Sequence, residues 1–195
     1  MRTPLGKIPR HTHVLLSLLA GREQEKLRIA EIGVYHGMNA SWLARMLPQA
    51  NLTLIDPYLA FAQPEKHGKL GTQGQTEFDG ALLMAIGALR PFAPRVQWIF
   101  ADDLNAEQQL PPWVVFDLVF LDHLHDAETV ENSLPVWWNR VWPGGYLSLH
   151  DYGGTLDKQG MWGVKKSVDA FAEQVGVPVA VGPSKSLVAS MQKPV

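Results

Sequence analysis

Short apolar runs alternate along this chain with stretches of helical periodicity, and this alternation restricts the fold more than any other feature. The candidate strands are residues 28–33, 51–56, 95–100, 116–122 and 145–150. The candidate helices are residues 38–47, 76–89, 127–141 and 164–175. Strands that are apolar almost throughout are typical of a parallel sheet covered by helices on both faces. The pattern predicts a doubly wound α/β domain.

The C-terminal end departs from this alternation. Two short apolar segments, residues 177–181 and 186–190, are joined by a tight link that suits an antiparallel hairpin better than a helical crossover. We therefore expect a Rossmann-like sheet of seven strands, mostly parallel, with an antiparallel strand in the C-terminal hairpin. The length of 195 residues suits a single domain, residues 1–195.

Residues 1–27 are expected to form a helical segment that packs on the sheet. Basic residues precede the apolar run 14–20, as in a secretory signal, but this run is short and soon leads into the first strand. No stretch is long enough to span a membrane. We expect a cytoplasmic protein with no membrane partner.

Composition excludes several classes of function. The net charge is −2 and there is no long basic run, so extended contact with nucleic acid has no electrostatic support. Cysteine is absent, which excludes disulfides, thiolate catalysis and cysteine-bound zinc. We therefore expect neither a nucleic-acid partner nor a thiol-based site.

The first strand runs into the sequence E-I-G-V-Y-H-G, residues 31–37, which opens the candidate helix 38–47. Glycine tolerates the dihedral angles of such a turn and lets a bulky ligand approach the main chain. The helix adds unpaired N–H groups at its start. The order of strand, glycine turn and helix suggests a nucleotide-like cofactor seated over the turn.

Acidic and histidine side chains follow the ends of the later strands. They are Asp56, Asp102, Asp103, Asp122, His123, His125, Asp126, His150 and Asp151. Ligands of open α/β sheets bind beyond the carboxyl ends of the strands, so this set predicts a site at one edge of the sheet. An aspartate at a strand end often only caps the next helix, and this alternative stays open for Asp103 and Asp126.

The sequence of the glycine turn distinguishes between two cofactors, NAD and S-adenosylmethionine, which Asp56 alone does not distinguish. A carboxylate at the end of the second strand can accept hydrogen bonds from ribose hydroxyls, in NAD and in S-adenosylmethionine alike. Dinucleotide sites use G-x-G-x-x-G, whereas this chain has G-x-x-x-G with Glu31 before it. A pyrophosphate would meet Glu31, but a sulfonium with an amino-acid tail carries positive charge. The residues favour S-adenosylmethionine.

An ordered set of motifs resembles a known family. E-I-G-V-Y-H-G-M-N-A-S, L-I-D, A-D-D, F-D-L-V-F-L-D-H-L-H-D and P-G-G-Y-L-S-L-H-D-Y look like the successive motifs of a class I S-adenosylmethionine-dependent methyltransferase. The likeness runs from the first strand through the fifth. Within that superfamily the chain is most similar to catechol-type O-methyltransferases and to small bacterial methyltransferases of sugar-modification clusters.

The resemblance implies which positions hold the cofactor. Those around the methionine part and the ribose are Glu31, Gly33, Tyr35, Gly37 and Asp56. Asp102 would accept a hydrogen bond from the adenine amino group, and Ala101 would offer a backbone contact. Asp122, with His123 next to it, would close the cofactor floor beside the transferring methyl group.

A divalent metal, magnesium or manganese, is also implied by the resemblance. Catechol-type enzymes bind it through an aspartate ending strand four and an Asp-Asn pair ending strand five, which correspond here to Asp122, Asp151 and Tyr152. Tyrosine is a poor neutral ligand, so the third ligand is lost or comes from water, His150 or another residue. Magnesium keeps water ligands readily, and a histidine would also suit manganese, iron or zinc. The alternative is that both carboxylates only accept hydrogen bonds from loop amides.

His125 is the first candidate for the base, because it stands where catechol-type enzymes carry a lysine, three residues after the strand-four aspartate. Histidine titrates near neutrality and can take a proton from a hydroxyl. His150 is the second candidate. The alternative for His125 is a solvent-facing residue near a helix start.

The expected reaction is O-methylation of a small phenolic or sugar acceptor. Residues 57–75 and 152–163 would form loops over that acceptor, with Trp162 covering it. Alternatives are a metal-independent N- or O-methyltransferase and a non-catalytic S-adenosylmethionine-binding partner protein; an NAD-dependent oxidoreductase is more distant. Exposed tryptophans would favour a homodimer, and the adjacent Trp137 and Trp138 should not both face one core.

Overall fold

The predicted sheet is present in the structure, a computed structural model that describes residues 7–60, 74–183 and 185–195. In chain order the elements are α1 (Arg10–Leu18), β1 (Arg28–Ile32), α2 (Met38–Met46), β2 (Asn51–Ile55), α3 (Gln75–Leu89), β3 (Val96–Ile99), α4 (Asp103–Gln109), β4 (Phe116–Leu121), α5 (Ala127–Asn139), β5 (Val141–Leu149), α6 (Thr155–Lys158), α7 (Val164–Val175), β6 (Ala180–Val181) and β7 (Ala189–Gln192). A 3₁₀ helix, Arg90–Arg95, joins α3 to β3.

The seven strands lie in the order β3-β2-β1-β4-β5-β7-β6. Strands β1 to β5 are parallel, and β7 is antiparallel to both β5 and β6. The predicted fold class is therefore confirmed. Strand order reverses between β1 and β4, which is where open α/β sheets form their ligand crevice.

Both faces of the sheet are buried, as the apolar strands predicted. Along β4, Leu118 and Phe120 pack with α1, α2 and α3, whereas Val119 and Leu121 pack with α4, α5 and α7. Successive side chains of a strand point to opposite faces, so a central strand needs apolar residues at every position. On the first face, α1 contributes the fully buried Leu15.

Two details differ from the sequence-based expectation. Helix α4 was not predicted, because its seven residues, D-L-N-A-E-Q-Q, carry few apolar side chains. Trp137 and Trp138 both join the core between the sheet, α5 and α7, so the expectation that they could not share one core was wrong. Trp138 meets Phe171 of α7 edge to face, while Trp137 is fully buried.

Two predicted segments lie partly outside the described residues. These are the N-terminal part of residues 1–27, of which residues 7–27 are described, and the acceptor loop 57–75, of which residues 57–60 and 74–75 are described. Within the described part of the chain, no helix combines the length and apolarity needed to cross a membrane.

Candidate active site

The turn after β1 has the backbone that its glycines predicted. Gly33 and Gly37 have φ angles of 86° and 69°, and Tyr35 between them has 46°. A β-carbon on Gly33 would lie 2.5 Å from the carbonyl carbon of Asp122, and one on Gly37 would lie 3.0 Å from the Cα of Ala85. The space that a side chain would need at these glycines is therefore taken by α3 and by the residue that follows β4. The role of Gly33 and Gly37 in enclosing the cofactor stays a prediction.

Asp56 holds this turn in place. One oxygen of its carboxylate accepts hydrogen bonds from the backbone N–H groups of Val34 and Tyr35, both at 2.9 Å, and the other accepts from Tyr58 at 2.8 Å. A carboxylate has about four acceptor positions. One position thus remains for the predicted ribose contact, which stays a prediction.

Glu31, near the C-terminal end of β1, is 2 % exposed. Its carboxylate accepts a hydrogen bond from Asn39 of α2 at 2.9 Å, and Asn39 accepts one from Thr12 of α1 at 2.7 Å. Burial raises the pKa of Glu31 well above its usual value, and the nearby charges of Asp122 and Asp56 act in the same direction. A nearby cation would stabilise the charged form of this carboxyl. The predicted contact with the methionine part of S-adenosylmethionine stays a prediction.

The predicted adenine contacts lie after β3. Ala101 is partly buried, and Asp102 is exposed and caps α4 by accepting hydrogen bonds from the backbone and side chain of Asn105. The capping alternative was raised for Asp103, but the capping residue is Asp102. The adenine roles of Ala101 and Asp102 remain predictions.

Asp103 belongs to a buried polar cluster that the sequence did not reveal. Ser133 of α5 donates a hydrogen bond to Asp103, and the Nε2 of His123 lies 2.9 Å from the Ser133 hydroxyl. Burial alone would raise the pKa of Asp103, but hydrogen bonds and charge from His123, with help from Ser133, lower it instead. This cluster ties the loop after β4 to α4 and α5, and it directs the His123 side chain toward those helices.

Four predicted side chains converge beyond the ends of β4 and β5. The Nε2 of His125 lies 3.2 Å from Asp151 and 3.7 Å from Asp122. The Nδ1 of His150 lies 3.2 Å from Asp122 and 3.3 Å from Asp151. We call these four residues the quartet. Two carboxylates and two imidazoles thus alternate around one point.

The pKa values of His150 and Asp122 depend strongly on the charges of the other quartet residues. Burial alone would lower the pKa of His150, but hydrogen bonds and negative charge from Asp122, and then from Asp151, raise it to about 10. Burial alone would raise the pKa of Asp122, but the imidazoles of His125 and His150 lower it far below its usual value. At neutral pH both groups are therefore charged, and His150 in this state holds its proton and is not a free base.

His125 is the member of the quartet with an unused atom. Its Nε2 is buried and makes no hydrogen bond of acceptable geometry with any described residue. Ligand atoms of Asp122, His125 and Asp151 all lie within 4.8 Å of one another, which suits one metal ion. A buried nitrogen with no well-formed hydrogen bond to the described residues, lying 3.2 Å and 3.7 Å from two carboxylates, fits a divalent cation, for which His125 would be the third ligand in place of Tyr152.

Tyr152 points away from the quartet. Its hydroxyl donates a hydrogen bond of 2.6 Å to Asp169 of α7. Asp151 beside it has a φ angle of 58°, a left-handed conformation that is uncommon for residues other than glycine. Uncommon backbone of this kind concentrates at functional sites, and here it turns the Asp151 carboxylate toward His125 and His150.

Trp162 lies over His125, and its expected role as a cover for the acceptor stays a prediction. The two rings stack with centroids 4.6 Å apart and planes 24° apart. The next residue, Gly163, donates a backbone hydrogen bond of 3.0 Å to the carbonyl of His125. Trp162 also lines a cavity of about 550 Å³ together with Gly153, Lys158 and other residues of this loop.

His11 of α1 is a site residue that the sequence reasoning missed. Its ring meets His150 edge-on, with centroids 4.9 Å apart. Burial, and then the charge of His150, lower the pKa of His11, while Asp122 and Asp151 oppose the shift. His11 could have been found from the sequence, because it lies four residues before Leu15. This spacing puts both residues on the face of α1 that packs on the sheet.

Comparison with known proteins agrees with this geometry. A family model described as "Methyltransferase domain" matches residues 30–152, which is more than half of the chain and includes both the glycine turn and the quartet. A search of curated proteins finds no match.

Solved structures share the fold at low sequence identity. The O-methyltransferase TomG from Streptomyces achromogenes, solved with S-adenosylmethionine, is 19 % identical with a TM-score of 0.62, over 96 % of this chain and 81 % of TomG. The N-methyltransferase NodS from Bradyrhizobium japonicum is 20 % identical with a TM-score of 0.57, over 95 % of both chains. A methyltransferase from Podospora anserina is 15 % identical with a TM-score of 0.60, over 92 % of this chain and 77 % of that one.

The family match and the fold together confirm the resemblance to class I S-adenosylmethionine-dependent methyltransferases that the sequence motifs indicated. O-methyltransferases are among the structures that share this fold. The chain belongs to the methyltransferase-domain family and is an S-adenosylmethionine-dependent methyltransferase with the class I, Rossmann-like fold.

Proposed function

We propose that this enzyme transfers a methyl group from S-adenosylmethionine to a hydroxyl of a small molecule, with a divalent cation held by Asp122, His125 and Asp151. The observation that carries the proposal is the buried Nε2 of His125, which faces the carboxylates of Asp122 and Asp151 and makes no hydrogen bond of acceptable geometry with a described residue. A cation there would lower the pKa of an acceptor hydroxyl and help to orient it. Two carboxylates and one imidazole favour manganese, iron or zinc over magnesium.

The cofactor would lie across the crevice between β1 and β4. Glu31 would receive the positively charged end, and the turn containing Gly33, Tyr35 and Gly37 would enclose the methionine part. Asp56 and Asp102 would serve the ribose and the adenine amino group, with Ala101 and His123 nearby. These assignments rest on the positions of the residues in the family motifs and on the buried carboxyl of Glu31.

The acceptor would lie next to the quartet, on a side that the stacked rings of His125 and Trp162 leave open. Methyl transfer from a sulfonium is an in-line displacement, so the protein contributes mainly alignment and a deprotonated acceptor. Trp162 stacks on His125 and would exclude water on that side. Trp162 also lines the cavity of about 550 Å³, a volume that suits a small phenolic or sugar acceptor, although no residue of the quartet lines this cavity.

A metal-independent enzyme is the second candidate, and one observation favours it. His150, with its pKa raised to about 10, supplies positive charge between Asp122 and Asp151 without any cation. In this case His125 would take the proton of the acceptor, as the sequence suggested, because its Nε2 makes no hydrogen bond of acceptable geometry with a described residue. The two roles of His125 exclude each other, since ligand and base would use the same lone pair.

Direct metal binding separates the two candidates. Electron paramagnetic resonance with Mn²⁺ should show one bound ion per chain in the native protein, and Asp151→Asn and His125→Ala should each weaken binding by about tenfold or more. Glu128→Gln, at an exposed acid in the first turn of α5, is the control and should bind as the native protein does. Native binding that survives both substitutions would contradict the metal site.

Activity then identifies the acceptor class. Catechols, flavonoids and sugars would be screened for methylated product by mass spectrometry, with and without EDTA. The proposal expects product on a hydroxyl and loss of turnover with EDTA, restored by Mn²⁺. Full activity in EDTA together with loss in His125→Ala would support the metal-independent candidate, and methylation of amines alone would overturn O-methylation.

A further inference from the structure

The first helix reaches the active site although it lies outside the family match. That match covers residues 30–152, whereas α1 spans Arg10–Leu18. His11 of α1 meets the ring of His150, and Thr12 beside it is fully buried. Thr12 therefore brings a hydroxyl into the interior, where a polar group needs a hydrogen-bond partner.

The partner of Thr12 is Asn39, in the first turn of α2. The Thr12 hydroxyl donates to the amide oxygen of Asn39 at 2.7 Å, and the amide nitrogen of Asn39 donates to the Glu31 carboxylate at 2.9 Å. Asn39 and Glu31 are buried as well. Two consecutive buried hydrogen bonds thus connect α1 to the carboxylate near the end of β1.

The chemistry of the amide gives this connection a direction. The oxygen of an asparagine side chain only accepts hydrogen bonds, and its nitrogen only donates them. The hydroxyl of Thr12 occupies the oxygen of Asn39, so the nitrogen is the end that faces Glu31. In the opposite orientation the amide oxygen would lie against a carboxylate oxygen, and the two acceptors would repel each other. Thr12 thus holds Asn39 in the orientation that supports a charged Glu31.

Glu31 depends on this support because burial opposes its charge. Burial raises the pKa of Glu31, whereas the hydrogen bonds from the Asn39 side chain and from the backbone of Ala40 lower it. The charged form of a carboxyl is the one that a cationic group stabilises. A weaker hydrogen bond from Asn39 would therefore weaken a contact between Glu31 and a cation.

We propose that Thr12 is a positioning residue of the cofactor site, which orients Asn39 so that Glu31 can receive the ammonium group of the methionine part. The inference rests on the proposed contact between Glu31 and the cofactor, and it adds a residue of α1 to that contact. The fully buried Leu15, one turn further along α1, anchors the helix in the core and so holds the Thr12 hydroxyl in place.

Two adenosine ligands separate a role in the cofactor site from a role in the fold. S-adenosylmethionine carries the ammonium group, whereas methylthioadenosine lacks the whole amino-acid part. In calorimetry, Thr12→Val should lower the affinity for S-adenosylmethionine about fivefold, the loss expected for one hydrogen bond, and should change the affinity for methylthioadenosine less than about twofold. Thr12→Ser keeps the hydroxyl and should bind both ligands as the native protein does.

Matched variants complete the experiment. Thr53→Val makes the same exchange at a buried position of β2 and should leave the affinity for both ligands unchanged. Thr12→Ala removes the hydroxyl without adding a methyl group and should give the same result as Thr12→Val. In a Glu31→Gln background, Thr12→Val should have no further effect on the affinity for S-adenosylmethionine, because both substitutions act on one contact.

The outcomes distinguish the role of Thr12 from the role of Glu31. Equal losses for the two ligands, or a loss that persists beside Glu31→Gln, would show that Thr12 acts only on the fold and would overturn the inference. Native affinity in Thr12→Val together with weak binding by Glu31→Gln would overturn the role of Thr12 and leave the Glu31 contact standing. Native affinity in Glu31→Gln would overturn the contact itself.

Discussion

At the scale of the residue, Gly33 combines two constraints that usually occur apart. Its φ angle of 86° is left-handed, and its missing side chain leaves room for the main chain at Asp122. Gly21 has the same φ angle, but a β-carbon there would meet nothing within 4 Å. A comparison of Gly33 with Gly21 therefore separates the free-energy cost of a left-handed φ angle from the cost of the contact with Asp122.

Gly33→Ala should destabilise the protein by about 2–5 kcal/mol, since a left-handed residue costs about 1–2 kcal/mol and overpacking adds about 1–3 kcal/mol. Gly21→Ala should cost only about 1 kcal/mol. Urea unfolding measures both. Equal losses in the two variants would mean that the β4 contact does not constrain the turn.

The ionisation of Glu31 should make the free energy of unfolding depend on pH. Its pKa in the folded protein is raised above the usual 4.5, so its contribution to stability is complete at acid pH and is lost as the pH rises through the raised value. Glu31→Gln removes this loss while its amide can still pair with Asn39. The stability of Glu31→Gln relative to the native protein should therefore increase from pH 5 to pH 9.

The same substitution should weaken the cofactor. Loss of a charge-assisted contact should lower the affinity for S-adenosylmethionine by about tenfold or more in calorimetry. Glu173→Gln, at an exposed position of α7, should change neither the affinity for S-adenosylmethionine nor the pH dependence of stability. A Glu31→Gln variant that binds the cofactor normally would remove Glu31 from the site.

At the scale of the element, the helices after β3 and β4 are joined by buried polar groups. Ser133 of α5 is fully buried and donates to Asp103 at the start of α4, while His123 lies against it from the loop after β4. His125 lies two residues after His123 in the same loop, so this cluster also helps to position His125 in the quartet. The cluster therefore positions the loop that carries His125.

Ser133→Ala should cost about 1–3 kcal/mol, because Asp103 and His123 would remain buried without their shared partner. Ser41→Ala is the matched control: Ser41 is also fully buried, but its hydroxyl donates only to the Met38 carbonyl of its own helix. Ser41→Ala should cost less than Ser133→Ala in urea unfolding. The reverse order would show that the cluster contributes little to stability.

Helix α5 shows how packing overrides a local signal. Pro135 lies inside this helix, where a proline removes a backbone hydrogen bond, yet the helix continues through it and ends at Asn139, two residues before the predicted end. Leu134 and Trp137 on either side of the proline are buried in the core. Helix α7 lies against α5 and accounts for the burial of Trp138 in the same core.

At the scale of the whole molecule, one sheet joins the two apolar clusters, because each central strand contributes to both. Neither cluster can be lost without the other. We therefore expect a single cooperative unfolding transition, with coincident midpoints in circular dichroism and tryptophan fluorescence. S-adenosylhomocysteine at about 100 times its dissociation constant should stabilise the protein by about 2.7 kcal/mol. Two separate transitions would contradict the single domain.

Much of the fold could be predicted because it depends on local patterns. Apolar runs marked the strands, and the predicted start of α7 at Val164 and of β1 at Arg28 agree with the structure. Helix α4 was missed because it is short and polar and is held by its Asp102 cap and by Ser133. Such contacts join residues that are distant in the sequence, and no local pattern records them.

The sequence by itself determined the order of strands and helices, the seven-stranded sheet and the family, because these follow from apolar periodicity and from motifs read along one chain. It also placed Asp122, His125, His150 and Asp151 at strand ends. Only the tertiary structure decided that the Nε2 of His125 faces both carboxylates, that His11 arrives from α1, and that the glycines of the turn pack against α3 and the residue after β4. Those facts depend on distances across the sheet, which the packing of the helices sets.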